Sequence, residues 1–343
     1  MPLEVLSAAH REELVDFLTA AFHLPKTAPF VEPRLMNWKY DEPRPDWTGS
    51  RSYAWMESGK IAAHACICPV TYRAGDREIQ ASYLIDWAAS RNSPGAGALL
   101  LRNLASFFPV LLAIGGSSDT RQILPKLGYR QAGELAFYVR VLRPWRQVRT
   151  DPVRRGWKAP LRLARNLFWS LARTSSVPRE GHCSPIRESR ASDGLPFLPG
   201  AVSTERTPEL MNYWLRCPGA AMSAFRVVEP SGVSGWFVLS RVGGVMRIAD
   251  MRIPSAEVEH WRAAYAFAAQ AADDDEQACE LIASASTPLA HEALRRSGFR
   301  LHHTDPVYLL DPQNLLIGHA PLDIALIESD AGYLYNPDYP YLT

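Results

Sequence analysis

Residues 83–104 read YLIDWAASRNSPGAGALLLRNL. Aromatic and β-branched residues give a strand, Asn92-Ser93-Pro94-Gly95-Ala96-Gly97 gives a turn, and leucines at helical spacing give an apolar-faced helix directly after it. Backbone N–H groups at a helix start have no partner inside the helix, and the helix dipole is positive there. Glycines let the backbone come close to a ligand, so the turn suits a phosphate-bearing anion.

Outward from this stretch, the chain repeats itself. EPRLMNWKYDEP at 32–43 is echoed by TPELMNYWLRCP at 207–218, and the same order of elements follows each. In the first copy, strands are predicted at 52–58, 60–72 and 78–90, a helix at 96–107, a strand at 109–116 and a helix at 119–126. Gly128-Tyr129 follows as a helix cap, then a strand at 135–142. In the second copy, strands at 223–228, 234–242 and 245–253 precede a helix at 256–272. A strand at 279–286, a helix at 288–296, the cap Gly298-Phe299 and a strand at 307–312 complete it.

This order predicts an α+β fold of α/β sandwich-like character, with mixed, largely antiparallel sheets flanked by helices. The expected divisions are a first domain at 1–143, an Arg- and Pro-rich linker at 144–192, a second domain at 193–317 and an aromatic tail at 318–343.

Composition narrows the class. With 343 residues, 47% hydrophobic and 21% charged, the chain has material for two ordinary cores and no disorder signature. Its net charge of +1 offers no basic field for nucleic acid. No apolar run reaches the roughly 18 to 20 residues of a membrane span, and the N-terminus is acidic where a signal peptide would be apolar, so a cytoplasmic protein is expected. Five scattered cysteines read as reduced thiols. Cys66 and Cys68 share a sheet face but lack the turn and second pair of a zinc site, and no metal is expected.

The strand, turn and helix at 83–104, with the second strand, second helix and Gly128-Tyr129 behind them, resemble the GNAT superfamily of acyl-CoA-dependent N-acyltransferases. The loop of that family reads Gln/Arg-x-x-Gly-x-Gly/Ala. The resemblance covers most of both halves in element order, making them two tandem GNAT-like domains, and is motif-level at 83–130. It implies an acyl-CoA, acetyl-CoA among them, as co-substrate and a small-molecule amine as acceptor.

Position by position, Gly95 and Gly97 flank Ala96 as the small loop residues, and Asn92 replaces Gln or Arg. Trp87, Ala88 and Ala89 take the strand positions whose backbone pairs with the pantetheine arm, and Ser117 stands where an Asn commonly faces that arm. The second copy, at 253–259, has no glycine in the turn and brings in Glu257 and Glu259, which would repel pyrophosphate. Asn37-Trp38-Lys39-Tyr40 with GKIAAHACICPV also looks like uncharacterised GNAT-like proteins of bacterial polysaccharide and cell-envelope synthesis, which implies a pathway rather than a substrate; an amino sugar or a cell-envelope precursor is the candidate acceptor.

Acyl transfer to an amine needs a base, a donor for the thioester oxygen and an acid for the departing thiolate. The family often places a Tyr four residues before the Gly of the Gly-aromatic pair, whereas this chain has Leu124 and Leu294 there. Asp86 is the candidate base and His64 the second. Tyr129 is a candidate hydroxyl donor. The two leucines leave open a non-catalytic binding or assembly protein of the same fold. Fem-type transfer from aminoacyl-tRNA would call for a more basic surface.

One further segment stands out. Over 154–173, Arg154, Lys158, Arg162 and Arg165 fall on one helical face and Trp157, Leu161, Ala164, Phe168 and Leu171 on another. That pattern fits either a helix docked across the domains or peripheral contact with the inner face of a membrane.

Overall fold

The computed structural model describes residues 3–151, 156–171, 181–190, 198, 200–229, 231–316, 318, 321–336 and 340–343. Arg154 of the linker lies outside them, as do 172–180. The chain divides into two compact units, one of residues 1–134 and 306–319, the other of 135–305 and 320–343.

Unit 1 begins with β1 (Leu3–Val5), α1 (Arg11–Phe22) and α2 (Pro33–Met36), which runs into a π-helical turn at Asn37–Asp41. Strands β2 (Ser52–Glu57), β3 (Lys60–Ala74) and β4 (Arg77–Ala89) form an antiparallel meander joined by the two-residue turns Ser58-Gly59 and Gly75-Asp76. Helix α3 (Ala96–Leu104) returns the chain to β5 (Leu111–Ile114), parallel to β4, and α4 (Ser118–Ile123) follows. The sheet is packed on both faces. Leu100, Leu101 and Leu104 of α3 lie on Ala63, Ala65 and Ile67, while Leu14 and Leu18 of α1 belong to the core formed with Ala54, Cys66 and Ile85. Strand alternation separates these two sets. Helix α1 was not among the predicted elements, although Leu14 and Leu18 have the spacing of a buried helical face.

Strand β6 (Arg130–Val141) leads into unit 2, which continues with α5 (Pro144–Thr150), α6 (Ala159–Ser170), β7 (His182–Ile186), β8 (Val202–Thr204) and α7 (Pro208–Leu215). Then come β9 (Ala221–Val228), β10 (Ser234–Val242), β11 (Val245–Arg252), α8 (Val258–Asp274), β12 (Glu280–Ala285), α9 (Pro288–Arg296), β13 (Arg300–Leu310) and β14 (Leu322–Asp323). Strands β9, β10 and β11 are antiparallel, and β12 runs parallel to β11, as β5 does to β4. Trp261, Tyr265 and Ala268 of α8 and Ala293 and Leu294 of α9 share one core with Phe237, Ile248 and Leu281 of the sheet.

Each unit includes a strand drawn from the other half of the sequence. Residues 307–310 of β13 pair with β5, and 136–141 of β6 pair with β12. The mixed α/β architecture agrees with the predicted fold class.

Candidate functional site

Strand β4 leaves the sheet through the turn at 92–97. Gly95 adopts φ 87°, a left-handed value that favours glycine, and serves as the N-cap of α3 without any side-chain cap. Helices α4, α7 and α9 are instead capped by Ser117, Thr207 and Thr287. Side-chain caps are likewise lacking at α1, α5, α6 and α8. At α3 the Ala96 N–H donates to the Ser93 backbone oxygen at 3.1 Å, and no side chain among the described residues caps the rest of the first turn. Gly97 is needed for close approach of helix and strand: a Cβ there would stand 3.1 Å from Ala89 Cβ and 3.3 Å from Trp87 Nε1. The buried Trp87 Nε1 has no hydrogen-bond partner. Asn92 is exposed, with its backbone N–H donating to Ser90 Oγ at 3.2 Å.

Strand β4 pairs with β5 only at Ser82↔Leu111 and Tyr83↔Leu112. Beyond that point the two parallel strands part, and Trp87, Ala88 and Ala89 have no ladder on the β5 side. On its other edge β4 carries a bulge. His64 faces Ala88 and Cys66 faces Ile85, so β4 uses one residue more than β3. Asp86 lies in this bulge at φ 53°, a left-handed value that a non-glycine residue keeps only when its surroundings fix it.

Those surroundings are a buried polar cluster. The Asp86 carboxylate accepts from the Tyr40 hydroxyl at 2.7 Å and pairs with Lys39 Nζ at 2.7 Å. Lys39 also stands 4.3 Å from the centre of the Phe30 ring. His64 Nδ1 lies 3.1 Å from the Asp86 backbone oxygen and Nε2 2.8 Å from Ser52 Oγ. A carbonyl can only accept, so Nδ1 carries the proton. Burial pushes the imidazole down to about 4, against an upward pull from Asp86, so at neutral pH the bare Nε2 accepts from the Ser52 hydroxyl. Burial, and then the Asp86 charge, raise the Tyr40 hydroxyl well above its ordinary value.

The π-helical turn that supplies Lys39 and Tyr40 is held by Arg51, whose guanidinium donates to the backbone oxygens of Trp38 at 2.7 Å, Glu42 at 2.8 Å and Lys39 at 2.9 Å. Asp86 and His64, the two candidate bases, are thus neighbours, joined through the imidazole and the Asp86 backbone oxygen. Lys39, Tyr40, Ser52 and Arg51 complete a cluster that the sequence did not identify as one. The signal for a partner was the Asp inside an apolar strand, since a buried carboxylate requires one.

Tyr129, directly after the left-handed Gly128 cap, is buried, and its hydroxyl has no partner. Burial raises its pKa, so the hydroxyl stays protonated at neutral pH. Leu124 is fully buried in the same core. Ser117 is exposed and uses its hydroxyl to accept from the Thr120 N–H that opens α4. Among the described residues, no group of three or more His, Cys, Asp or Glu could hold a metal ion.

Unit 2 also has a bulged strand, with different chemistry around it. Strand β11 has its own bulge, with Val238 facing Asp250 and Leu239 facing Ile248. Asp250 pairs with Arg206 at 2.6 Å, and Arg206 also pairs with Glu328 at 2.7 Å. The parting of β11 and β12, however, is closed by the chain itself. Asp323, Ile324 and Ala325 line the gap together with Asp250, Ser284 and Ser286, and the Ile324 N–H donates to Ser286 Oγ at 2.9 Å. About 30 Å³ remains, room for a water but not for a pantetheine arm.

No family model and no curated protein matches the chain, but solved structures do. A GCN5-related N-acetyltransferase from Anabaena variabilis superposes with a TM-score of 0.56 at 12% identity, over 90% of this chain and 71% of that one. This chain has the GNAT fold. N-myristoyltransferase from Saccharomyces cerevisiae, solved with bound myristoyl-CoA, superposes with a TM-score of 0.53 at 11% identity, over 90% of this chain and 83% of that one. In this GNAT-fold chain, unit 1 holds the glycine-capped helix start beside the parted strands. No described helix is long and apolar enough to cross a membrane.

Proposed function

We propose that the protein is an acyltransferase whose unit 1 binds an acyl-CoA and delivers the acyl group to an amine. The observation that carries this is the uncapped start of α3 beside the parted β4 and β5 strands. The pyrophosphate would rest on the first-turn backbone N–H groups that follow Ala96, and the pantetheine amides would complete the missing ladder along Trp87, Ala88 and Ala89. The amine nitrogen attacks the thioester carbon. A C–N bond forms, the C–S bond breaks, and the thiolate leaves with a proton while the amine loses one.

In this reading the bulge supplies a backbone donor for the carbonyl oxygen, and Tyr129 is the acid for the thiolate. Asp86 and His64 then act as positioning residues. The carboxylate is engaged by Lys39 and Tyr40 and the bare imidazole nitrogen by Ser52, so the cluster fixes the bulge rather than drawing a proton from the substrate. The bulge and strand order found in both units support a tandem-domain reading. Unit 2, with its gap filled, serves as a scaffold.

Amine-dependent release of free thiol from acetyl-CoA and longer acyl-CoAs tests this reading, with amino sugars as the first acceptors to try. Binding without release under any amine would favour the non-catalytic reading, which the fully buried Leu124 at the usual Tyr position supports.

A further inference from the structure

Helix α6 is mounted with its polar side inward. Asn166 is 1% exposed, and its amide donates to Gln147 Oε1 at 2.9 Å. Gln147 Nε2 in turn donates to Glu280 Oε2 at 3.1 Å, which ties α5 and α6 to β12. Arg162 pairs with Asp151, and Trp169 lies under the guanidinium groups of Arg165 at 4.4 Å and Arg300 at 5.0 Å. On the opposite side the large apolar residues face solvent. Trp157 is 80% exposed, Leu161 68%, Phe168 70% and Leu171 79%.

At 3.6 residues per turn, Leu161, Ala164, Phe168 and Leu171 form one stripe about half a turn from Asn166. Lys158 and Arg165, both exposed, border it on one side, Arg165 while also donating to Asn166 Oδ1 at 2.9 Å, and the sequence from 152 to 179 contains no Asp or Glu. A helix stabilised only by packing in its own unit would bury this stripe.

We propose that this face of α5–α6 seats on an anionic lipid bilayer, with α6 lying in the plane of the interface. Trp157, Leu161, Phe168 and Leu171 enter the boundary between headgroups and acyl chains, and Lys158 and Arg165 meet the lipid phosphates. Charge decides between occupants. A second copy would bring the same cations face to face, with no acidic residue on the helix to pair with them. An anionic surface complements them along the whole flank. The inference is independent of the acyl-transfer reading.

The test is co-sedimentation of the full-length protein with vesicles of phosphatidylcholine alone and of phosphatidylcholine with about one-third phosphatidylglycerol, at low and high salt. The expected result is binding to the anionic vesicles that weakens with salt. W157S/F168S should reduce it on the order of 10- to 100-fold, with an unchanged thermal melt because both side chains are exposed. K158E/R165E should lose the preference for anionic lipid. As a second probe of the stripe, Leu161→Lys should also weaken binding. Absence of wild-type binding, or equal binding by W157S/F168S and Leu161→Lys, would overturn the proposal. So would a concentration-dependent dimer that W157S/F168S abolishes, because the stripe would then belong to a second copy.

Discussion

Lowering the pH should weaken unit 1 through a single buried ring. His64 is pushed by burial down to about 4, whereas an unfolded histidine titrates near 6.5. Between these values the unfolded chain takes up a proton that the folded chain refuses. The stability that comes from a neutral His64 is therefore whole above about pH 6.5 and is lost as pH falls toward 4. The gap corresponds to about 3 kcal/mol in full, of which about 2 kcal/mol is lost by pH 5.

Other groups titrate nearby with the opposite sign. Burial raises Asp323 to about 6 and Glu229 to about 7, so both bind a proton more tightly in the folded chain, which gains stability as pH drops. The decisive quantity is therefore a difference between two proteins. His64→Gln retains a donor for the Asp86 carbonyl and an acceptor for Ser52, but it does not titrate. Urea unfolding of wild type and variant at pH 7.5 and pH 5 should show the wild type losing about 2 kcal/mol more than the variant. Equal losses, or a His64 ring that titrates near 6.5 in the folded protein by NMR, would refute the buried, neutral assignment.

The ion pair beneath the bulge makes a related prediction. Lys39→Met leaves the Asp86 carboxylate without its cation in a buried site and should cost about 3–5 kcal/mol, while Lys39→Met combined with Asp86→Leu should recover much of that loss, as denaturant melts would show. Tyr129→Phe removes a hydroxyl that has no protein partner. Thermal stability should hold or rise, and thiol release should fall on the order of 100-fold or more if the hydroxyl protonates the leaving thiolate. An unaffected rate would remove Tyr129 from the mechanism.

Much of this was legible in the chain. The strands from 52 to 90, the helix after Gly95 and their echoes in the second half follow from local periodicity and turn residues, which act over a few positions. What was not legible depends on residues distant in sequence. Asp86 needed a buried partner, but nothing at 86 says that the cation is Lys39, delivered by a π-helical turn that Arg51 clamps from a third position. The exchanged strands were hidden for the same reason. Residues 307–310 have the same apolar pattern whichever sheet they join, and only the assembled sheet places them beside β5. The closing of the unit 2 gap by 323–325 was likewise invisible, although the missing glycines and the glutamates at 257 and 259 already argued against pyrophosphate there. At α6 the amphipathic pattern was plain, yet its direction was not. Asn166 turned inward is a fact of packing, set by Gln147 and Glu280.

Calorimetric titration of the purified protein with acetyl-CoA and longer acyl-CoAs, beside Gly95→Glu, tests the turn itself. There is open space around Gly95, so the glutamate adds strain at a left-handed position and a negative charge at the helix start without a clash. The expected result is saturable binding of an acyl-CoA by the wild type, and its loss in a Gly95→Glu protein whose thermal melt shows it folded. No binding by the wild type, or equal binding by both proteins, would contradict it.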